Sequence, residues 1–247
     1  MSRVPDIIKD IIIINILFFV ATISMQNIDL GAMFNLHYFD NPNFKPWQLV
    51  TSMFMHGSIG HIFFNMLALY FFGTPMVQVF GKNKFLFFYF SAGIGASLIY
   101  LLERHFEFTG AVDALINMGS SKQEIHELFS LTKSQLYSQL PNNNVGVLIA
   151  KSYGIYNMQM LGASGAIFGL LAGYAWYFPN SEIYLYFVLP VKAKYFIPVI
   201  VIADLISGLT GQPLLSPVNT AYFAHVGGAV IGLIMAYIWK KNQYRMY

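Results

Sequence analysis

The chain has no cysteine among its 247 residues. That absence excludes disulfides, thiolate-held metals and a cysteine nucleophile, and it leaves the redox compartment open. Charge is scarce as well. Asp, Glu, Lys and Arg make up only 10% of the residues, against roughly 25% in a soluble domain, which must clothe its surface for water. A water-soluble globular enzyme is thereby disfavoured. No His-Glu-x-x-His occurs, which removes a zinc metalloprotease, and no metal or other cofactor is expected. The net charge of +3 is not concentrated into a basic stripe, so no nucleic-acid partner is expected. Internal repeats and low-complexity segments are lacking too.

What remains is apolar: 56% of the chain is hydrophobic and 17% aromatic. A helix needs about 20 largely apolar residues to cross a bilayer core of roughly 30 Å. Six runs meet or approach this, at 7–25, 61–80, 85–102, 161–178, 195–211 and 222–239. The expected fold class is an all-α polytopic membrane protein, a six-transmembrane-helix bundle, forming one membrane domain over 1–247. Arg3 and Lys9 stand before the apolar stretch of the first run, as in a signal peptide, yet no small-residue cleavage site follows, so it is read as a retained helix. The run Ile183 to Leu189 is too short to cross and is expected at the interface.

Even-numbered spans put both termini on one side. Arg3, Lys9, Lys82, Lys84, Lys192, Lys194, Lys240, Lys241 and Arg245 then share that side, and by the positive-inside rule it is cytoplasmic. Two outer loops are long. Residues 27–60 hold Pro42, Pro46 and Trp47. Residues 103–154 form the chain's polar stretch, read as a long outer loop with one short amphipathic helix, since Ser121 and Glu124 make a capping box before Ile125, Leu128 and Phe129.

Polar side chains inside apolar spans are costly and mark function by default. His61 and Asn65 stand four apart in the second span, on one helix face. Ser164 opens the fourth, 15 residues before Pro179, and His225 the sixth, 15 residues before Lys240. Both therefore lie about 22 Å from the inner boundary and about 8 Å below the outer one. The small-residue stripes Gly165-Gly169-Gly173 and Gly228-Gly232 would let the two helices touch.

Such a set suits acyl transfer. A serine hydroxyl becomes a nucleophile when a neighbouring imidazole takes its proton, and His225 would then return that proton to the leaving amine. The His61 ring, the Asn65 amide and the Ser164 backbone N–H would stabilise the oxyanion. Each residue alone has a plainer reading. Ser164 or His225 can pack or bridge helices, and His61 and Asn65 can cap a helix end. Phe168, one turn below Ser164, can pack either on the His225 ring or in the core. Shared depth on alternate helices favours one site. Asp204 is expected near the midplane, roughly 7 Å deeper than His225, in a protonated, hydrogen-bonded role outside the catalytic set.

These motifs resemble the rhomboid family of intramembrane serine proteases, bacterial type. The resemblance rests on His56, His61 and Asn65 in the second helix, Gly162-Ala163-Ser164-Gly165 in the fourth, and Ala224-His225 with Gly228 and Gly232 in the sixth. It implies a rhomboid-like bundle with a Ser164–His225 dyad, an oxyanion hole and a transmembrane protein as substrate. It also implies a mobile cap and gate around Leu209 to Tyr222 and the fifth helix, and, from the bacterial type, an inner-membrane location. Membrane lipids are the other expected partners. A catalytically silent rhomboid-like protein that binds or remodels membrane clients is the alternative. A channel would instead need polar residues along a whole path. Two departures stand out: Gln48 follows Trp47 where the family often has arginine, and Val77 stands where it often has glutamate. Both put loop anchoring and stability in doubt rather than the chemistry.

Overall fold

The computed structural model describes residues 4–25, 27–185, 188–217 and 220–243; Arg3 and Arg245 lie outside them. Helix α1 (Asp6–Ser24) is followed by a short helix α2 (Leu30–Phe34) and the two-residue strand β1 (Leu36–His37). Helix α3 (Gln48–Thr51) and a tight turn lead to α4 (Ile59–Ala68), which passes through a wide turn into α5 (Thr74–Asn117). Next come α6 (Lys122–Ser130), α7 (Lys133–Gln139), α8 (Asn144–Tyr156) and strand β2 (Gln159–Met160). Helix α9 (Ser164–Tyr177), the hairpin β3 (Glu182–Leu185) and β4 (Leu189–Lys192), α10 (Ala193–Thr210) and α11 (Tyr222–Gln243) complete the chain.

Four helical stretches among the described residues are long and apolar enough to cross a bilayer: Asp6–Ser24, Ile59–Asn117, Ala193–Thr210 and Tyr222–Asn242. The second of these holds two expected spans, divided at Gly81, whose φ of +72° breaks the helix and which only glycine adopts readily. Helix α9 has 14 residues, about 21 Å, which is short of a full crossing. Its first residue is Ser164.

The outer faces of these helices carry the large apolar side chains that lipid would cover, among them Leu17, Phe64, Phe87 and Val199. Inside, Ile8, Leu69, Met76, Phe85, Phe88, Ala166 and Leu170 form one core. Helices α9 and α11 meet through glycine. A Cβ on Gly228 would come within 1.9 Å of the Gly165 carbonyl oxygen, and one on Gly232 within 2.4 Å of the Gly169 oxygen. The pairing of 165 with 228 and 169 with 232 shows that the two helices run parallel.

The stretch 103–154 is not a loop with one helix. Helix α5 continues past Leu102 to Asn117, and α6, α7 and α8 fold back on it. Leu115, Ile125, Phe129, Leu136, Ile149 and Tyr153 make a second core of their own. The Ser121–Glu124 capping box closes in both directions at the start of α6, and Thr132 with Gln135 forms another on α7. This lobe is tied to the connection between α1 and α4. Tyr38 Oη lies 2.8 Å from His105 Nδ1, Asn41 Nδ2 donates to the Tyr156 carbonyl at 2.8 Å, and β1 pairs antiparallel with β2.

The Gln48 departure costs no anchoring. Its fully buried amide Nε2 donates to the carbonyls of Ala32, Met33 and Asn43, and its Oε1 accepts from His37 N–H and Lys45 N–H. Gln48 thus fastens three parts of the loop at once. Val77 sits in the main apolar core, where a valine needs no polar partner.

Candidate active site

The site is built where α4, α9, α10 and α11 approach one another. Ser164 is the first residue of α9, so its backbone N–H has no carbonyl one turn earlier to bond within the helix. The preceding Gly162 has φ +120°, and a Cβ there would lie 2.7 Å from His61 Nε2. Only glycine fits. Its N–H is fixed by the Ser52 carbonyl at 2.9 Å.

Ser164 Oγ lies 2.8 Å from His225 Nε2, and His225 Nδ1 lies 2.6 Å from Asp204 Oδ2. With the Nδ1 proton directed at the carboxylate, the Nε2 lone pair is left to accept from the serine hydroxyl. The Phe168 ring stacks on the imidazole with centroids 4.0 Å apart and planes inclined by 13°. The ring is therefore held by a hydrogen bond at one edge and a face contact across its plane.

Asp204 corrects the expectation of a residue too deep to reach the histidine. A Cβ on Gly208 of α10 would touch the Phe223 ring of α11, which sets the register of these helices. That register places the Asp204 backbone only about 3 Å below that of His225, and the two side chains bridge the difference. Counting from span ends compares backbone levels across assumed boundaries and ignores this reach. Asp204 is 1% exposed. Its second oxygen accepts from Ser216 Oγ at 2.6 Å, so the connection between α10 and α11 folds back over the carboxylate. The expected cap around Leu209 to Tyr222 falls partly here, with 218–219 outside the described residues.

Facing this trio is a second polar set. His56 lies in the turn before α4 rather than on the helix, and its Nε2 accepts from Asn65 Nδ2 at 3.0 Å. The Asn65 amide retains a second N–H. The His56 and His61 rings meet edge to face, with centroids 4.9 Å apart. Ser58 caps α4 by accepting from His61 N–H. Gly165 faces Ala96 of α5, while Gly228 and Gly232 hold α11 against α9. His56, His61, Asn65, Gly162, Ser164, Phe168 and His225 are thus gathered in one place. Sequence reasoning missed the Asp204 and Ser216 contacts. The available signal was the buried carboxylate itself.

A family model described as Rhomboid domain matches residues 43–242. An uncharacterized mitochondrial rhomboid protein of Schizosaccharomyces pombe is 29% identical over 226 residues, covering 86% of this chain and 55% of that protein. Rhomboid protease AarA of Providencia stuartii is 29% identical, covering 81% of this chain and 59% of its own length. Rhomboid protease GluP of Bacillus subtilis is 27% identical over 52% of this chain and 25% of its own. The chain therefore spans little more than half the length of the first of these relatives, and less of GluP. Their mixed sources, mitochondrial and bacterial, remove the ground for a specifically bacterial type and for assigning the protein to a bacterial inner membrane. A rhomboid domain over most of the chain, in a bundle of apolar membrane-spanning helices, makes this protein a multi-pass member of the rhomboid family.

Proposed function

We propose that the protein is an intramembrane serine endopeptidase that cleaves transmembrane protein substrates near the outer membrane face. One observation carries the reading: Ser164 Oγ and His225 Nε2 are at hydrogen-bond distance while His225 Nδ1 is anchored on a buried carboxylate. That is the arrangement a base needs before it can take the serine proton.

The serine oxygen attacks the substrate carbonyl as its proton passes to His225 Nε2. Asp204 keeps the imidazole in the accepting tautomer and stabilises the imidazolium without taking its proton. The new oxyanion faces the Ser164 N–H, the free N–H of Asn65 and the His61 ring. Collapse expels the amine, which receives the proton from His225 and leaves an acyl-enzyme. Water, activated by the same histidine, then hydrolyses the ester. The chemistry thus runs through a Ser164–His225 pair with Asp204 as positioning residue. A substrate helix must unwind to offer its carbonyl, so small and helix-destabilising residues are expected near the cut. The whole chain acts as one membrane domain, with six spans, both termini on the lysine-rich side and the lobe at 103–157 on the outer side.

The test is cleavage of a model transmembrane substrate by purified protein in detergent, alongside labelling by a serine-directed phosphonate. Ser164→Ala and His225→Ala should each lower kcat by on the order of 10³ or more, and Ser164→Ala should abolish labelling. Asp204→Asn should lower kcat by roughly 10² or more while leaving KM within a few-fold, because an amide favours the wrong histidine tautomer. A protonated, merely structural Asp204 would tolerate asparagine. Equal cleavage by wild type and Ser164→Ala, or labelling that survives Ser164→Ala, would overturn the protease reading in favour of a silent client-binding protein.

A further inference from the structure

Below the catalytic layer, α10 stands away from the α9–α11 pair and leaves a cavity of about 540 Å³. Its walls are Ala172, Val201, Ile202, Val230 and Leu233, with no polar side chain among them. Pro198 also lines it, and this proline inside α10 removes one intrahelical hydrogen bond. From Ala229 to Lys240 along α11 the slot extends about 16 Å. Its shape is long and apolar.

One end is different. Lys194 and Lys240 both line the cavity, beside Trp176 and Pro179. The parallel course of α9 and α11 puts the end of each helix and the start of α10 on the same side, where Lys192 and Lys241 add to the charge. Lys240 Nζ donates to the Trp176 carbonyl at 3.0 Å and lies over the Tyr177 ring. Lys194 lies over the Tyr195 ring. Among the described residues, no carboxylate stands within ion-pair distance of either ammonium. Glu182 pairs in register with Lys192 across the hairpin and accepts from Tyr184 Oη. The slot therefore ends in two cations that have no counter-ion among the described residues.

We propose that this slot binds an anionic phospholipid, one acyl chain lying between α10 and the α9–α11 pair and the phosphate held by Lys194 and Lys240. A chain alone would suit the walls but leave the lysines unanswered. A free anion would answer the lysines but leave the slot unfilled. Basic pockets between membrane helices select anionic headgroups on this principle, and aromatic residues such as Trp176 and Tyr177 favour the same headgroup level.

Binding is read by native mass spectrometry of the full chain in detergent, with dioleoylphosphatidylglycerol and dioleoylphosphatidylcholine as probes. The readout does not depend on proteolysis, so an inactive protein would decide it equally well. Phosphatidylglycerol should bind at least tenfold more tightly than phosphatidylcholine. Lys194→Gln, which removes no backbone contact, should weaken phosphatidylglycerol roughly fivefold, and the further change Lys240→Gln should erase the preference. Val201→Phe, which fills the slot, should weaken both lipids. Glycerol phosphate at millimolar concentration should displace neither. Equal affinity for the two lipids, an unchanged preference in the double lysine variant, unaltered binding in Val201→Phe, or displacement by glycerol phosphate would each overturn the proposal.

Discussion

The α9–α11 contact and the lobe built by α5 to α8 are both helix on helix, yet they are held together differently. Between α9 and α11 the backbones themselves touch, with Gly228 on the Gly165 carbonyl and Gly232 on that of Gly169. In the lobe, Leu115, Ile125, Phe129, Leu136 and Ile149 interleave as side chains. The solvent explains the difference. Lipid is as apolar as leucine, so burying leucine against another helix within a membrane gains little, and close approach through small residues takes over. In water, burial of apolar area gains about 25 cal/mol per Å², and a side-chain core follows. The hydrogen-bonded Ser164 and His225 side chains sit on the glycine contact, where backbone spacing is least able to drift.

The largest effect should come from adding one methyl at the glycine contact. Gly228→Ala places a Cβ against the Gly165 carbonyl, and α11 must move away from α9, three residues from His225. We expect a loss of about 1–3 kcal/mol or more in stability and near-complete loss of phosphonate labelling of Ser164. The matching change in the lobe is Gly154→Ala on α8, where the added Cβ meets nothing within 4 Å. That variant should be neutral or gain up to about 1 kcal/mol from helix propensity, with labelling unchanged. Thermal unfolding and labelling of the two proteins side by side decide it, and equal behaviour would break the contrast.

The gathering of Ser164, His225, His61 and Asn65 could be expected from sequence because polar groups are conspicuous in apolar runs and lie at matching positions along them. Asp204 was visible too, but its partner was not. Its reach to His225 depends on the α10–α11 register, which is set by Gly208 against Phe223, and residue counting has no access to a contact between helices. The lobe was half legible. The Ser121–Glu124 box marks α6 from sequence alone, whereas α7 is short and mostly polar, and α8, though apolar, carries Gly146 and Gly154, which weaken a helix reading. Gln48 shows the opposite limit. Comparison with a usual arginine suggested a weaker loop, but a buried amide both donates and accepts, and Gln48 uses both capacities.

A local effect, comparable in stability but far smaller at Ser164, is expected from Leu115→Ala, which empties a fully buried position in the lobe core. The cost is about 2–5 kcal/mol, confined to the lobe. Limited proteolysis between α5 and β2 should accelerate while phosphonate labelling of Ser164 stays within about twofold of wild type. The ties from Tyr38 and Asn41 to the lobe make this a real test. Labelling that fell in step with proteolysis would join the two regions into one cooperative unit.

The smallest effect separates the lobe by its contact with water. Glu124 accepts from the backbone N–H of Ser121, and this bond holds its carboxyl below the usual glutamate range. A carboxylate lowered in the folded state contributes fully above its unfolded value and loses that contribution as pH falls through the folded one. Protection at the first turn of α6, taken as hydrogen exchange relative to the intrinsic amide rate at each pH, should therefore fall on acidification through and below the ordinary glutamate range. Glu124→Gln retains an oxygen acceptor for the Ser121 N–H but cannot titrate, so exchange there should lose most of this extra acid sensitivity. The Thr132–Gln135 box of α7, closed by a neutral amide, serves as the reference in the same experiment. If Glu124→Gln kept the full wild-type response to acid, the capping carboxylate would not be what couples the lobe to pH.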